Sequence, residues 1–413
     1  MRRIPSAILS CALAAGAAAS AIDGALASER DVLVNPSAQA GDEGGIGVAI
    51  DAGQVASGAP GEAAARGAAY VFDCSGIACA SPQRLAPGDL ADGDRFGAAV
   101  AMSGDTLAIA ATGASPGAVY LYVRVAGNWL QQARIAPAGA AGEHFGIALA
   151  LASDTLVVGA DRAGTRAGAV YVFARTGTAW NQTARLTPAD AHAGDAFGRS
   201  VAIDAGTIVA GAPLAPGATA GSFARGAAYV FTGGGAAWSQ QAKLVPASLA
   251  DGDSFGFAVA MKGDRVVVGA PMAQSRAGAA HVFERSGSAW SERARIVAPI
   301  GVSGDRFGWS VAIDASRLLV GAPYAFGACG RAVLYRTTGS AASWFATTDA
   351  DLAAPLPETL AGWSVAIDGA RLATAAPGYA AGDDHSGAVY RFDSTDVLFS
   401  DGFELSALAL ACE

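Results

Sequence analysis

The chain has 413 residues, 54 of them glycine, and a charged fraction of only 15%. Glycine at this level without a collagen period marks many tight turns between short strands, as in a sandwich, barrel or propeller. A net charge of −9 with no lysine or arginine cluster argues against nucleic acid or anionic lipid as the partner.

In chain order, residues 1–27 read as a secretory signal. Arg2 and Arg3 give the positive start, Ile8 to Ala21 an apolar run, and Ala19-Ser20-Ala21 and Ala25-Leu26-Ala27 two cleavage candidates, with cleavage after Ala27 favoured. A lipid on Cys11 is the alternative, but the apolar stretch before it is short. No later stretch is long and apolar enough to span a bilayer, so the mature chain is expected to be soluble and without membrane insertion. Cys74 and Cys79 enclose four residues between two strands, which in an exported protein reads as a hairpin staple. Cys329 and Cys412 remain as a second possible pair.

From residue 31 to 395 the chain repeats. FGRSVAIDAGTIVAGAP starts at Phe197, FGFAVAMKGDRVVVGAP at Phe255 and FGWSVAIDASRLLVGAP at Phe307. Looser copies start at Phe96 and Phe145, and degenerate ones at Gly44 and Ala361. Their second glycines stand at 45, 97, 146, 198, 256, 308 and 362, a spacing of 49 to 58 residues. Each unit resolves into four strands. The first alternates across Ser-Val-Ala-Ile and ends in a tight turn such as Asp204-Ala205-Gly206. The second is an aliphatic run stopped by Gly-Ala-Pro, since proline has no donor for a ladder. The third is Gly-Ala-Ala-Tyr-Val-Phe or a variant, with Arg331-Ala-Val-Leu-Tyr335 in copy six. The fourth starts at an aromatic such as Trp129, Trp180, Trp238, Trp290 or Trp344 and ends before proline. Seven such units predict a seven-bladed β-propeller of four-stranded antiparallel blades. Residues 31–36 precede copy one as strand four precedes each later copy, so this early strand is expected to complete blade seven and close the ring. Residues 396–413 form a tail.

Phe-Gly followed by Gly-Ala-Pro is the signature of FG-GAP repeats, and the chain resembles the β-propeller of integrin α subunits and its secreted bacterial relatives. The resemblance implies a binding or adhesion propeller and carries no hydrolase with it. Many members hold calcium in an Asp-x-Asp-x-Asp-Gly loop between strands one and two. Here that loop is cut to one carboxylate per turn, so no metal and no cofactor is expected. The tail motif DVLFSDGFE resembles a short C-terminal element of proteins exported by Gram-negative bacteria; an ordinary strand with a frayed end reads as well.

Two periodic charge sets stand out. A carboxylate lies two residues before each Phe-Gly (Asp42, Asp94, Glu143, Asp195, Asp253 and Asp305, with Thr359 in copy seven), and an arginine recurs near the third strand (Arg66, Arg166, Arg225, Arg276, Arg331). Strict periodicity favours a structural role: either each arginine pairs with a carboxylate, or the carboxylate accepts backbone N–H groups. His281 takes the strand-three tyrosine position and reads as a packed ring. The loop between strands two and three varies most in length, longest in copy four, and binding residues concentrate on variable loops of a rigid scaffold. Candidate ligand residues are therefore Phe223 and Arg225 in copy four, Tyr324 and Phe326 in copy six, and Tyr379, Asp383, Asp384 and His385 in copy seven. No catalytic residue is assigned. The leading reading is a secreted, monomeric, non-enzymatic propeller that recognises an extracellular protein or glycan. The alternatives are a polysaccharide lyase or hydrolase on a propeller scaffold, disfavoured by an inner strand of mainly Ser, Val, Ala and Ile, and a structural envelope protein.

Overall fold

The computed structural model describes residues 29–393, apart from position 77 and the segments 138–141, 217–223, 338–343, 354–358 and 380–385. The signal-like segment, the tail, Cys412, Phe223, Asp383, Asp384 and His385 therefore lie outside the described residues.

Seven four-stranded antiparallel sheets form a seven-bladed β-propeller. Blade four is representative: Ser200–Asp204, Thr207–Ala212, Ala227–Gly234 and Ala237–Leu244 pair in sequence order. The first strands line the central channel, and successive ones touch around the whole ring, first blade to last. Blade seven is assembled from both ends of the described chain. Glu29–Leu33 pairs antiparallel with Ala388–Asp393, with Asp31 opposite Arg391 and Leu33 opposite Val389. The closing strand thus lies a few residues before the position that the spacing of residues 31–36 gave. Pairing ends at Leu33, before Pro36, which has no N–H to give a ladder.

The second strands are buried throughout apart from a half-buried first residue in four of them, which is why they read as unbroken aliphatic runs rather than as alternation. In blade five, Val266 and Val268 face one core cluster, shared with blade four, and Val267 faces another, shared with blade six. Each of the seven clusters joins two neighbouring blades. One of them joins Leu33, Ala373 and Val389 of blade seven to Val55, Tyr70 and Phe72 of blade one. The hydrophobic core is therefore a ring of seven interfaces, each blade being a wall between two of them.

The repeated glycines mark where blades meet most closely. A Cβ on Gly211 would lie 1.9 Å from the Gly256 carbonyl oxygen of the next blade, and one on Gly269 would lie 2.0 Å from that of Gly308. The strand-three glycine is equally constrained, because six of the seven form an isolated parallel bridge to the Phe-Gly position of the following blade, as Gly226 does to Phe255. Copy six keeps this glycine as Gly330, bridged to Ala361, so its departure from the pattern begins only at Arg331.

Four of the strand two-to-three loops carry one turn of left-handed helix: Glu62–Ala65, Ala163–Arg166, Ala273–Arg276 and Ala325–Ala328. Ala63 and Ala64 have φ of 54° and 62°, a conformation that costs about 1–2 kcal/mol per non-glycine residue. The offset lies in the next blade. The Ala65 and Arg66 carbonyls accept the Arg95 and Phe96 N–H groups, each at 2.8 Å, and the Arg276 and Ala277 carbonyls accept those of Arg306 and Phe307 at 2.9 Å.

Cys74 and Cys79 form a disulfide in the loop after the third strand of blade one. Cys329 is also disulfide-bonded, to a residue outside the described ones.

Candidate recognition site at the channel mouth

Each blade enters its first strand through a turn whose carboxylate has a structural task. Asp42, Asp94, Asp195, Asp253 and Asp305 each accept the backbone N–H of the residue three positions earlier, at 2.8 to 3.0 Å. Glu143 accepts the Tyr171 hydroxyl instead, and Thr359 donates to the Cys329 carbonyl. Among the described residues Arg66 and Arg225 make their ion pairs elsewhere, with Asp92 and Asp251, two residues further upstream. Arg331 is fully buried, with its guanidinium donating to the Ile300 carbonyl. Of the two structural readings, backbone acceptance is the one realised.

Burial raises the carboxyl pKa of Asp42, Asp195 and Asp305 above its ordinary value. A raised acid pKa means that the folded state holds the proton more tightly. These groups therefore gain stability as pH falls from the raised value towards that of the unfolded chain, and lose it as pH rises. Asp195→Asn keeps an oxygen for the His192 N–H and removes the buried charge. Its melting temperature at pH 7 is expected to equal or exceed the parent's, with a flatter profile between pH 4 and 6. Asp195→Ala should lose about 1–2 kcal/mol at pH 7; equal losses in both variants would remove the backbone-acceptor role.

The phenylalanine of each Phe-Gly is core. Phe197 packs against Tyr229 and Phe231, and Phe255 against His281 and Phe283, at centroid separations of 5.4 to 6.0 Å. His281 is 1% exposed and fills the tyrosine position, with Nδ1 2.7 Å from Glu292, as the sequence reading held. Burial pushes its pKa down.

The central channel encloses about 250 Å³ and is lined by the first strands. Its serines bind neighbouring backbone: the Ser200 hydroxyl donates to the Gly256 carbonyl, the Ser310 hydroxyl to that of Gly362, and Ser364 accepts the Val48 N–H. The wall residues are Ser, Val, Ala and Ile, as read from sequence. The residue directly after each Phe-Gly is not. Around the ring this position holds Ile46, Ala98, Ile147, Arg199, Phe257, Trp309 and Trp363, so bulk and aromaticity accumulate in blades four to seven.

There the side chains touch from blade to blade. The Arg199 guanidinium lies 5.0 Å from the Phe257 centroid, Phe257 is 4.6 Å from Trp309, and Trp309 is 5.0 Å from Trp363. Tyr324 adds a ring 5.8 Å from Trp309, and Arg306 stands over both, 5.5 Å from Trp309 and 4.0 Å from Tyr324. The other side of the mouth is polar, with His144 bonded to Asp161 at 2.8 Å and Arg95 paired with Glu43. Arg306, His144, Arg95 and Glu43 all occupy the left-handed position just before the Phe-Gly dipeptide or its degenerate copy.

Of the residues expected from loop length, Tyr324 belongs to this aromatic arc. Phe326 packs partly buried between blades five and six beneath Arg331, and Tyr379 packs against Tyr390 between blades six and seven. Arg225 is half-exposed and paired with Asp251. Phe257, Trp309, Trp363, Arg199 and Arg306 were missed by the sequence reading, which weighed loop length and not the change in size at one fixed position of the repeat. Among the described residues no group of three or more His, Cys, Asp or Glu is placed to hold a metal ion. None of the helices there is long and apolar enough to cross a membrane.

A solved structure with a similar course is that of Saccharomyces cerevisiae Sqt1, at 13% identity and a TM-score of 0.47, covering 88% of this chain and 84% of that one. No curated protein sequence matches. The family description "FG-GAP repeat" matches residues 81–122, 129–173, 180–231, 238–283 and 290–332. Each of these segments runs from a fourth strand through the next blade's third strand, the offset that also leaves Glu29–Leu33 free to complete blade seven. With more than half of its length matched, the chain belongs to the FG-GAP repeat family.

Proposed function

We propose that the protein is an exported, monomeric and non-catalytic recognition module that binds an extracellular protein or glycan at the channel mouth. The observation that carries this reading is the asymmetry of the mouth. Seven blades share one framework, yet aromatic rings and stacked arginines gather only in blades four to seven. A framework needs no such asymmetry, while aromatics and arginine are the residues that dominate recognition surfaces. Export is supported by the sequence of residues 1–27 and by the Cys74–Cys79 disulfide. The non-catalytic reading is supported by the channel serines, whose hydroxyls bind backbone of the next blade.

The test is a glycan-array and pull-down screen with parent protein, Trp309→Ala and Lys262→Ala, the last lying on the opposite face at a strand one-to-two turn. Trp309→Ala is expected to weaken binding at least tenfold, consistent with loss of about 1.4 kcal/mol or more, and Lys262→Ala less than twofold. Binding lost only through Lys262 would place the site on the other face.

A further inference from the structure

We propose that the mouth takes a carboxylated sugar, its ring face lying on the Phe257–Trp309–Trp363 arc and its carboxylate held by Arg199 and Arg306. The inference rests on the assignment of the mouth as the recognition site.

Many arginines among the described residues are already engaged with acids. Arg66, Arg95, Arg124, Arg225 and Arg285 each have a carboxylate oxygen at 2.5 to 2.7 Å. Arg199 and Arg306 stand at the channel mouth. Among the described residues neither has a carboxylate within ion-pair distance, and both lie over aromatic rings instead. A guanidinium stacked on a ring keeps its N–H donors directed outward in its own plane, the geometry that matches a carboxylate bidentately. Arg199 is also desolvated: burial pushes its pKa down, with Asp161 pulling the other way and Arg162 adding to the fall. Burying a cation without a paired anion is costly, and such groups cluster at functional sites. The missing partner at the mouth is an anion.

The rings indicate what bears it. Phe257, Trp309 and Trp363 follow one another at centroid steps of 4.6 and 5.0 Å, tilted by 44° and 51°. They form a strip of half-buried rings, each in contact with the next. The C–H face of a pyranose ring is weakly positive and lies well on such rings, and one ring step is comparable to the width of one sugar unit. The donors Arg199 and Arg306 stand along this strip, so the ligand must combine ring faces with many acceptor oxygens. A uronic acid does both. An acidic peptide carries its carboxylates on flexible stems and presents no flat C–H ring face to the arc. The net charge of −9 opposes long-range approach of an anion, so affinity should arise from contact rather than from steering.

The experiment is isothermal titration of the parent protein with oligogalacturonate, oligoguluronate and glucuronate-containing oligomers. Controls are their methyl esters, neutral galactose and glucose oligomers, and polyglutamate. The expected result is binding of at least one acidic sugar, weakened tenfold or more by esterification, by Arg306→Gln and by Arg199→Gln. Arg199→Lys should recover only part of the loss, and melting temperatures confirm that each variant folds. Equal binding of neutral sugars, unaffected by the arginine variants, would overturn the carboxylate and leave the mouth as the site. Equal binding of polyglutamate would overturn the sugar. A protein partner lost through Trp309→Ala, with no sugar bound, would overturn this inference alone, whereas sugar binding unchanged by Trp309→Ala would overturn both readings.

Discussion

Gly226→Ala is expected to destabilise the protein by more than about 4 kcal/mol, at the extreme end of single substitutions. Two effects add. Gly226 has φ of +86°, where a side chain costs about 1–3 kcal/mol. Its Cβ would lie 2.0 Å from the Phe255 carbonyl oxygen and 2.5 Å from the Phe255 nitrogen. Both are backbone atoms held by the parallel bridge and by the Phe255 N–H bond to the Arg225 carbonyl. They cannot withdraw unless blades four and five part. Gly252→Ala is the control, since Gly252 has φ of +92° and open space around its Cβ position. It should lose only the conformational part. Urea unfolding of the two variants measures the difference, and equal losses would show that close approach is not what these glycines serve.

Removal of Glu29–Leu33 should be as damaging. The strand covers the edge of Ala388–Asp393, which would otherwise present unpaired N–H and C=O groups to other chains. It also carries Asp31, 2.8 Å from Arg391, whose side chain is 1% exposed and donates as well to the Cys74 carbonyl of blade one. Taking one partner from a buried ion pair costs about 3–5 kcal/mol. The shortened chain is expected to aggregate or to lose its cooperative melt, and Asp31→Asn to lose about 2–3 kcal/mol, with some hydrogen bonding retained. A shortened chain that melts like the parent would mean that the ring closes without this strand.

The ring was legible because its signals are local and repeated. Phe-Gly, Gly-Ala-Pro and the strand-three glycine recur at fixed offsets, and each offset corresponds to one backbone approach, such as Gly211 on Gly256 or Gly226 on Phe255. His281 could be placed from its position in the repeat alone. The mouth was less legible for the same reason. Phe257, Trp309 and Trp363 sit 52 and 54 residues apart, and only the packing of successive blades brings them to ring-contact distance. The signal that could have found them is size at one position of the repeat compared across copies. Loop length selected Tyr324, which joins the aromatic arc, but it also selected Phe326 and Tyr379, whose rings turn back into the cores between blades.

The closing strand sets an order of events during synthesis. Leu33 leaves the ribosome about 356 residues before Val389, its neighbour in the finished sheet. At ordinary elongation rates that interval is about 20–70 s, far longer than a hairpin needs to form. The intervening blades can each pair their own strands on emergence, while Glu29–Leu33 has no sheet to join until the last one appears. The earliest strand made is the last one seated, and in the meantime it is an unpaired β-segment available to any exposed edge.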